Sequence, residues 1–256
     1  MDYQTILFAM QDGVATVTMN RPEVMNALSS TMRAEITHAA TALPAGTRCL
    51  VLTGAGRAFC SGQDLGDARA AADLEGTLRD EYEPMIHALR NAPVPVIAAV
   101  NGVAAGAGAN LALVADVVIA ARSASFVQAF TRIGLMPDAG GTHVLPRLVG
   151  QARAMGAMLF ADSITADQAA DWGMIWEAVA DEEFAAVVAA RALALAKGPT
   201  RAYLAVREAL AASAANDFAR QLQVEARLQG ELGQSADFTE GVSAFLQKRA
   251  AQFTGA

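Results

Sequence analysis

The chain of 256 residues is long enough to bury a sizeable core in one α/β domain, and 54% of it is hydrophobic. A formal charge of −7 with no basic run excludes a surface that tracks nucleic-acid phosphates. Two cysteines, Cys49 and Cys60, and three scattered histidines, His38, His87 and His143, offer neither a disulfide framework nor metal-ligand spacing, so no metal and no prosthetic group is expected. The opening M-D-Y-Q-T-I lacks a basic region followed by an apolar one, which leaves the cytoplasm as the expected location.

Thr5 to Met10 and Val14 to Met19 read as two strands joined at Gln11-Asp12-Gly13, and Asn20-Arg21-Pro22 ends the second. Asn26 is expected to cap a helix through Met32, Ile36 and Ala40 to Leu43, with His38 on it as a structural residue. Cys49 to Thr53 is a short apolar strand that runs into Gly54-Ala55-Gly56-Arg57 and then A-F-C-S-G-Q-D-L, where an α/β fold bends its backbone toward a ligand. The glycines at 54 and 56 match neither a dinucleotide fingerprint nor a P-loop. Cys60 without a nearby histidine reads as a small core residue rather than a nucleophile. Asp67 to Glu75 is polar and Ala-rich, a covering segment or an irregular start to the helix through Tyr82, Met85, Ile86 and Leu89.

Val96 to Ala121 contains Asp116 as its one ionisable residue. Three glycines, Asn101, Asn110 and Asp116, with no flanking Lys/Arg bias, favour a buried core segment over a membrane span. It reads as strand Val96 to Val100, a turn at Gly106-Ala107-Gly108, a short helix from about Ala109 and strand Val117 to Ala120. Free amides at that turn suit an oxygen carrying negative charge, although such turns also serve packing alone. Asp138 lies between Leu135-Met136-Pro137 and Ala139-Gly140-Gly141. It is either a buried acid with a raised pKa or the cap of a helix beginning near Gly140.

Thr165-Ala166-Asp167-Gln168 carries a capping pattern for a short helix ending near Trp172-Gly173, and Ile175 to Val179 reads as a last strand. Helical patterns follow at Phe184 to Lys197, Thr200 to Ala212, Asn216 to Glu231 and Asp237 to Ala250. Gly198-Pro199-Thr200 divides a core over 1–198 from a helical region over 199–256, whose Ala/Leu faces cover the core or a neighbouring subunit. Lys248-Arg249 is a solvated pair or a phosphate contact.

N-R-P at 20–22, N-A-L at 26–28, G-R-A-F-C-S-G-Q-D-L at 56–65, A-A-V-N-G-V-A-A-G-A-G at 98–108, and P-D-A-G-G-T at 137–142 with L-P-R-L-V-G at 145–150 together resemble the crotonase, or enoyl-CoA hydratase/isomerase, family. The resemblance spans essentially the whole chain and implies an α/β fold: a repeated ββα spiral core with a C-terminal helical trimerisation region, assembled as a homotrimer or a dimer of trimers. It implies an acyl-CoA thioester substrate, coenzyme A entering as part of that substrate, and an oxyanion hole made by the amides of Ser61 and Ala107. By the same resemblance Gly62, Gln63, Asp64 and Leu65 touch the adenine end of coenzyme A, and Phe245 and Lys248 reach the cofactor moiety. The positions matching the two glutamates of hydratases are Asn110 and Phe130, whereas Asp138 matches the single acid of the family's isomerases. Within the family, W-G-M-I-W and the run Glu240 to Gly255 are similar to the ring-epoxide isomerases of phenylacetate catabolism, which implies other enzymes of that pathway as partners. A general 3,2-enoyl-CoA isomerase, a hydratase-like enzyme of fatty-acid oxidation and a non-catalytic acyl-CoA-binding subunit stand as alternatives.

Overall fold

The computed structural model of the chain describes residues 2–256. Strands β1 (Ile6–Gln11), β2 (Val14–Met19), β3 (Cys49–Gly54), β5 (Val96–Val100), β7 (Val117–Ala121) and β10 (Glu177–Val179) form one sheet in the order β1-β2-β3-β5-β7-β10. Only β1 runs antiparallel to its neighbour. A second sheet orders β4 (Ala58–Cys60), β6 (Val103–Ala105), β8 (Ser125–Val127) and β9 (Ile164–Thr165).

The chain alternates between the sheets. β3 leads into β4, β5 into β6 and β7 into β8, and a helical segment follows each pair. After β6 comes α5 (Ala107–Leu113), and after β8 a 3₁₀ turn and α6 (Gly141–Val149). This is the repeated ββα path that the resemblance implies.

At its centre the six-stranded sheet is covered on both faces, so β5 and residues 49–52 of β3 read as unbroken apolar runs. Their side chains divide with period two. Leu50, Leu52, Val96, Ala98 and Val100 join the main core, while Cys49, Val51, Ile97 and Ala99 pack with Ala192 and Ala196 of α9 (Asp181–Lys197).

Asn26 does not cap the first helix. That helix, α1 (Ser30–Thr41), begins at Ser29, whose Oγ accepts from Met32 N–H at 3.2 Å. Asn26 instead sits at φ 55°, fully buried, donating to the carbonyls of Ala55 and Ala58 at 2.9 and 2.8 Å and accepting from Arg21 N–H. A short amide side chain tolerates that backbone region and replaces strand partners that a loop cannot supply. The segment after Asp67 is a broken helix: α2 (Ala68–Ala72), α3 (Leu74–Thr77), a π-helical turn over Leu78–Tyr82 and α4 (Glu83–Arg90). Thr165 caps α8 (Ala166–Asp171) as expected, accepting from Gln168 N–H.

Helices α10 (Thr200–Ser213), α11 (Phe218–Leu232) and α12 (Ala236–Gln247) form the C-terminal region. Arg48, at the start of β3, bridges the 198/199 division by donating to the Gly198 and Thr254 carbonyls and to Thr200 Oγ1. Arg207 of α10 likewise holds Asp116 and the carbonyls of Ala92 and Val94. Among the described residues no helix is long and apolar enough to cross a membrane.

Candidate active site

The turn after β4 and the start of α5 meet at a chamber of about 190 Å³, lined among others by Gln63, Gly106, Ala107, Phe130 and Asp138. Gly62 makes the meeting possible. At φ +94° it occupies backbone space closed to L side chains, and a Cβ there would lie 2.8 Å from the Ala105 carbonyl oxygen and 3.3 Å from Ala107 N.

Ser61 does not contribute the expected amide, because its N–H donates to the Met25 carbonyl at 3.0 Å and is already satisfied. The next residues explain which amide is free. Leu28 N–H donates to Gly62 O at 2.8 Å and Asp64 N–H to Leu28 O at 3.3 Å, a parallel bridge pairing Leu28 with Gln63. In such a bridge the N–H of the paired residue itself points away from its partner. Gln63 N–H therefore has no protein acceptor among the described residues, and neither has Ala107 N–H in the first turn of α5. Two unsatisfied amides at one chamber wall form a receptor for an oxygen that gains negative charge.

Asp138 is the second component. Burial pushes its carboxyl from 3.8 up to about 6, and its Oδ1 is buried with no hydrogen-bond partner. It does not cap α6, whose N-terminal residue Gly140 offers no side chain. Asp64, the other carboxylate on the chamber, is engaged differently. The Arg21 guanidinium at 2.8 Å holds it below the usual carboxylate range, and it accepts from Gly66 N–H. Asp64 is thus a fixed anion, whereas Asp138 can exchange a proton near neutral pH.

Beyond Asp138 the chamber joins a cleft of about 990 Å³ with Leu78, Tyr82, Ile86, Leu135, Arg90 and His143 on its walls. Sequence reasoning missed the group behind Gln63. Tyr82 Oη donates to Gln63 Oε1 at 2.5 Å, and the fully buried Arg33 reaches the same oxygen, the Leu28 carbonyl and Glu81. No local sequence signal links α1, the π-helical turn and residue 63; only the fold joins them.

Cys60 is fully buried with its thiol pushed up to about 12, which removes it as a nucleophile. His38 accepts or donates against Tyr3 Oη at 2.9 Å, consistent with a structural role. Leu65 lies on the chamber rim and is mostly exposed. Phe245 and Lys248 are not brought to the chamber within one chain. Phe245 is 81% exposed on α12, beside Phe238 and Phe253, and Lys248 ends that helix in the left-handed conformation.

The family model described as enoyl-CoA hydratase/isomerase matches residues 9–256. The chain belongs to this family, the crotonase superfamily. It is 60% identical, over the whole of both chains, to a Rhodobacter capsulatus protein named probable enoyl-CoA hydratase. It is 48% identical, over 98% of each chain, to the 1,2-epoxyphenylacetyl-CoA isomerase of Escherichia coli. Among solved structures, the enoyl-CoA hydratase of Bacillus anthracis superposes with a TM-score of 0.91 at 32% identity, covering 99% of this chain and 100% of that one. The two sheets with their C-terminal helices are therefore a crotonase fold, and the chain is a member of an acyl-CoA hydratase/isomerase enzyme family.

Proposed function

We propose that the protein is a CoA-thioester isomerase in which Asp138 moves a proton between two carbons of an acyl group while the Gln63 and Ala107 amides hold the thioester oxygen. The observation that carries this reading is the state of the acids at the chamber. Asp138 is partly buried with its Oδ1 enclosed and unpartnered, Asp64 is locked to Arg21, and the positions that match the hydratase glutamates are Asn110 and Phe130.

For a 3-enoyl thioester, the Asp138 carboxylate takes a proton from C2. The electron pair left behind delocalises onto the thioester oxygen, where the two amides meet the charge. Asp138 then returns the proton to C4, and the double bond ends between C2 and C3. One base suffices because nothing is added or lost. Adding water requires one group to activate it and a second to protonate the carbon, and the chamber offers a single exchangeable carboxyl.

The finer assignment is conversion of ring-1,2-epoxyphenylacetyl-CoA to oxepin-CoA in phenylacetate catabolism, alongside the double-bond shift. The name of the E. coli relative supports it, as does an apolar cleft broad enough for a ring. A hydratase is the second reading, favoured by the name of the R. capsulatus relative.

Parallel incubations with a 3-enoyl-CoA, a 2-enoyl-CoA and the aromatic epoxide, followed by product mass and absorbance, separate these readings. Isomerised products of unchanged mass are expected, and a gain of one water on the 2-enoyl thioester would establish the hydratase instead. Asp138→Asn should lower turnover by about 10²-fold or more while leaving the fold and CoA-ester binding intact; near-full activity overturns the mechanism.

Phe245 and Lys248 fit a role in coenzyme A binding only at a neighbouring subunit's chamber, as in the homotrimer or dimer of trimers that the family resemblance implies.

A further inference from the structure

The main chain at Asp138 is held from outside the chamber. Its main-chain carbonyl accepts from Asn110 Nδ2 and from Gly141 N–H, both at 2.8 Å. Asn110 Oδ1 in turn accepts from Gln128 Nε2 at 2.8 Å, and both amides are 1% exposed. The Asp138 carbonyl can only accept and so fixes Nδ2 as the end of Asn110 that faces it; Gln128 Nε2 then braces Asn110 Oδ1, while Gln128 Oε1 is itself buried without a partner. Between Asp138 and α6 the chain passes through Ala139 at φ 47° and Gly140 at φ 82°, a conformation that needs outside support at an L residue. Gly141 has no Cβ where one would lie 2.3 Å from Asn110 Nδ2, so the approach of this amide is built into the loop. Neither Asn110 nor Gln128 lines the chamber or the adjoining cleft.

We propose that Gln128 and Asn110 are positioning residues: a two-amide relay that grips the Asp138 carbonyl, locks the 138–140 loop and so presents the Asp138 carboxyl to the chamber. The inference rests on Asp138 being the base, and it gives the residue at the hydratase-glutamate position a task of its own. A displacement of about 1 Å at a proton-transferring group costs up to about 10²-fold in rate, so the relay acts on turnover and not on binding.

The test compares Asn110→Leu and Gln128→Met with the parent enzyme and with Asp138→Asn, using a short-chain 3-enoyl-CoA for turnover and the 2-enoyl-CoA product for binding. Melting curves establish that each variant is folded; should Asn110→Leu fail to fold, Gln128→Met, which removes the relay one step further from the loop, carries the test. Expected is a 10- to 100-fold fall in kcat for Asn110→Leu and a smaller fall for Gln128→Met, with KM and product Kd within about 2-fold of the parent. Unchanged kcat in a folded variant, or a loss expressed in KM and Kd instead, overturns the relay. An Asp138→Asn enzyme of parental activity would instead remove the reading beneath it, so the two failures are distinguishable.

Discussion

Asp138 carries two opposed consequences of one burial. Its carboxyl titrates at about 6 instead of 3.8, so the basic form that accepts the C2 proton accumulates only as pH rises through that value. The expected kcat/KM profile climbs through a midpoint near pH 6 and levels above it; a midpoint at the ordinary carboxylate value would contradict a buried base. Stability runs the other way. Between the unfolded value of about 4 and the folded value of about 6 the native state binds more protons than the unfolded one, so stability falls as pH rises through this window. Above it the ionised carboxylate costs roughly 3 kcal/mol at most. Asp138→Asn should accordingly melt higher than the parent at pH 7 and no higher below pH 4, measured by calorimetry on both. The apolar neighbours at 135–137 make this residue conspicuous in the sequence. The free amide of Gln63 is not, because every residue carries an N–H and only the bridge to Leu28 determines which way this one points.

At the scale of elements, strands β2 and β5 are found where apolar periodicity puts them, and the helix ends follow cap chemistry at Ser29 and Thr165. The mistaken cap at Asn26 shows the limit of local reading. Asn and Ser compete equally well for a helix start, and Asn26 is diverted by carbonyls of the β3–β4 turn, which are distant in sequence. The same holds for α1 and the π-helical turn, pinned together by Arg33 against Glu81, with Tyr82 stacked 4.8 Å from the guanidinium. Arg33→Met should destabilise the fold by about 3 kcal/mol, the low end for breaking a buried pair, because Glu81 is one-quarter exposed and regains water. It should also lower kcat/KM, since the Gln63 side chain loses one of its two anchors. Denaturant midpoints together with steady-state kinetics check both, and a variant unchanged in stability would sink the pinning role.

Across the whole molecule, the C-terminal region leaves Leu210, Phe218, Phe245 and Leu246 each more than two-thirds exposed. In the proposed assembly these side chains would be covered by a neighbouring subunit, and closed symmetry is the common outcome. Light scattering should return three or six times the mass of one chain, and Phe245→Ala and Lys248→Ala should raise KM for a CoA thioester several-fold with kcat unchanged. A fully active monomer insensitive to both substitutions would overturn the assembly and the shared site.

Apolar periodicity, turn residues and the motifs around 56–65, 98–108 and 137–142 were enough by themselves to determine the strands of the six-stranded sheet, the helical C-terminal region, the family and Asp138 as the candidate base, but not the short strands of the second sheet. These properties are local, because pattern and burial propensity are written in neighbouring residues. Only the tertiary structure decided that the Ser61 amide is occupied by the Met25 carbonyl and that Gln63 takes its place beside the expected Ala107. It also turned Asn110 from a missing acid into a donor on the Asp138 carbonyl. Hydrogen-bond accounting of this kind depends on which distant segments meet, and closure of the ββα spiral brings those segments together.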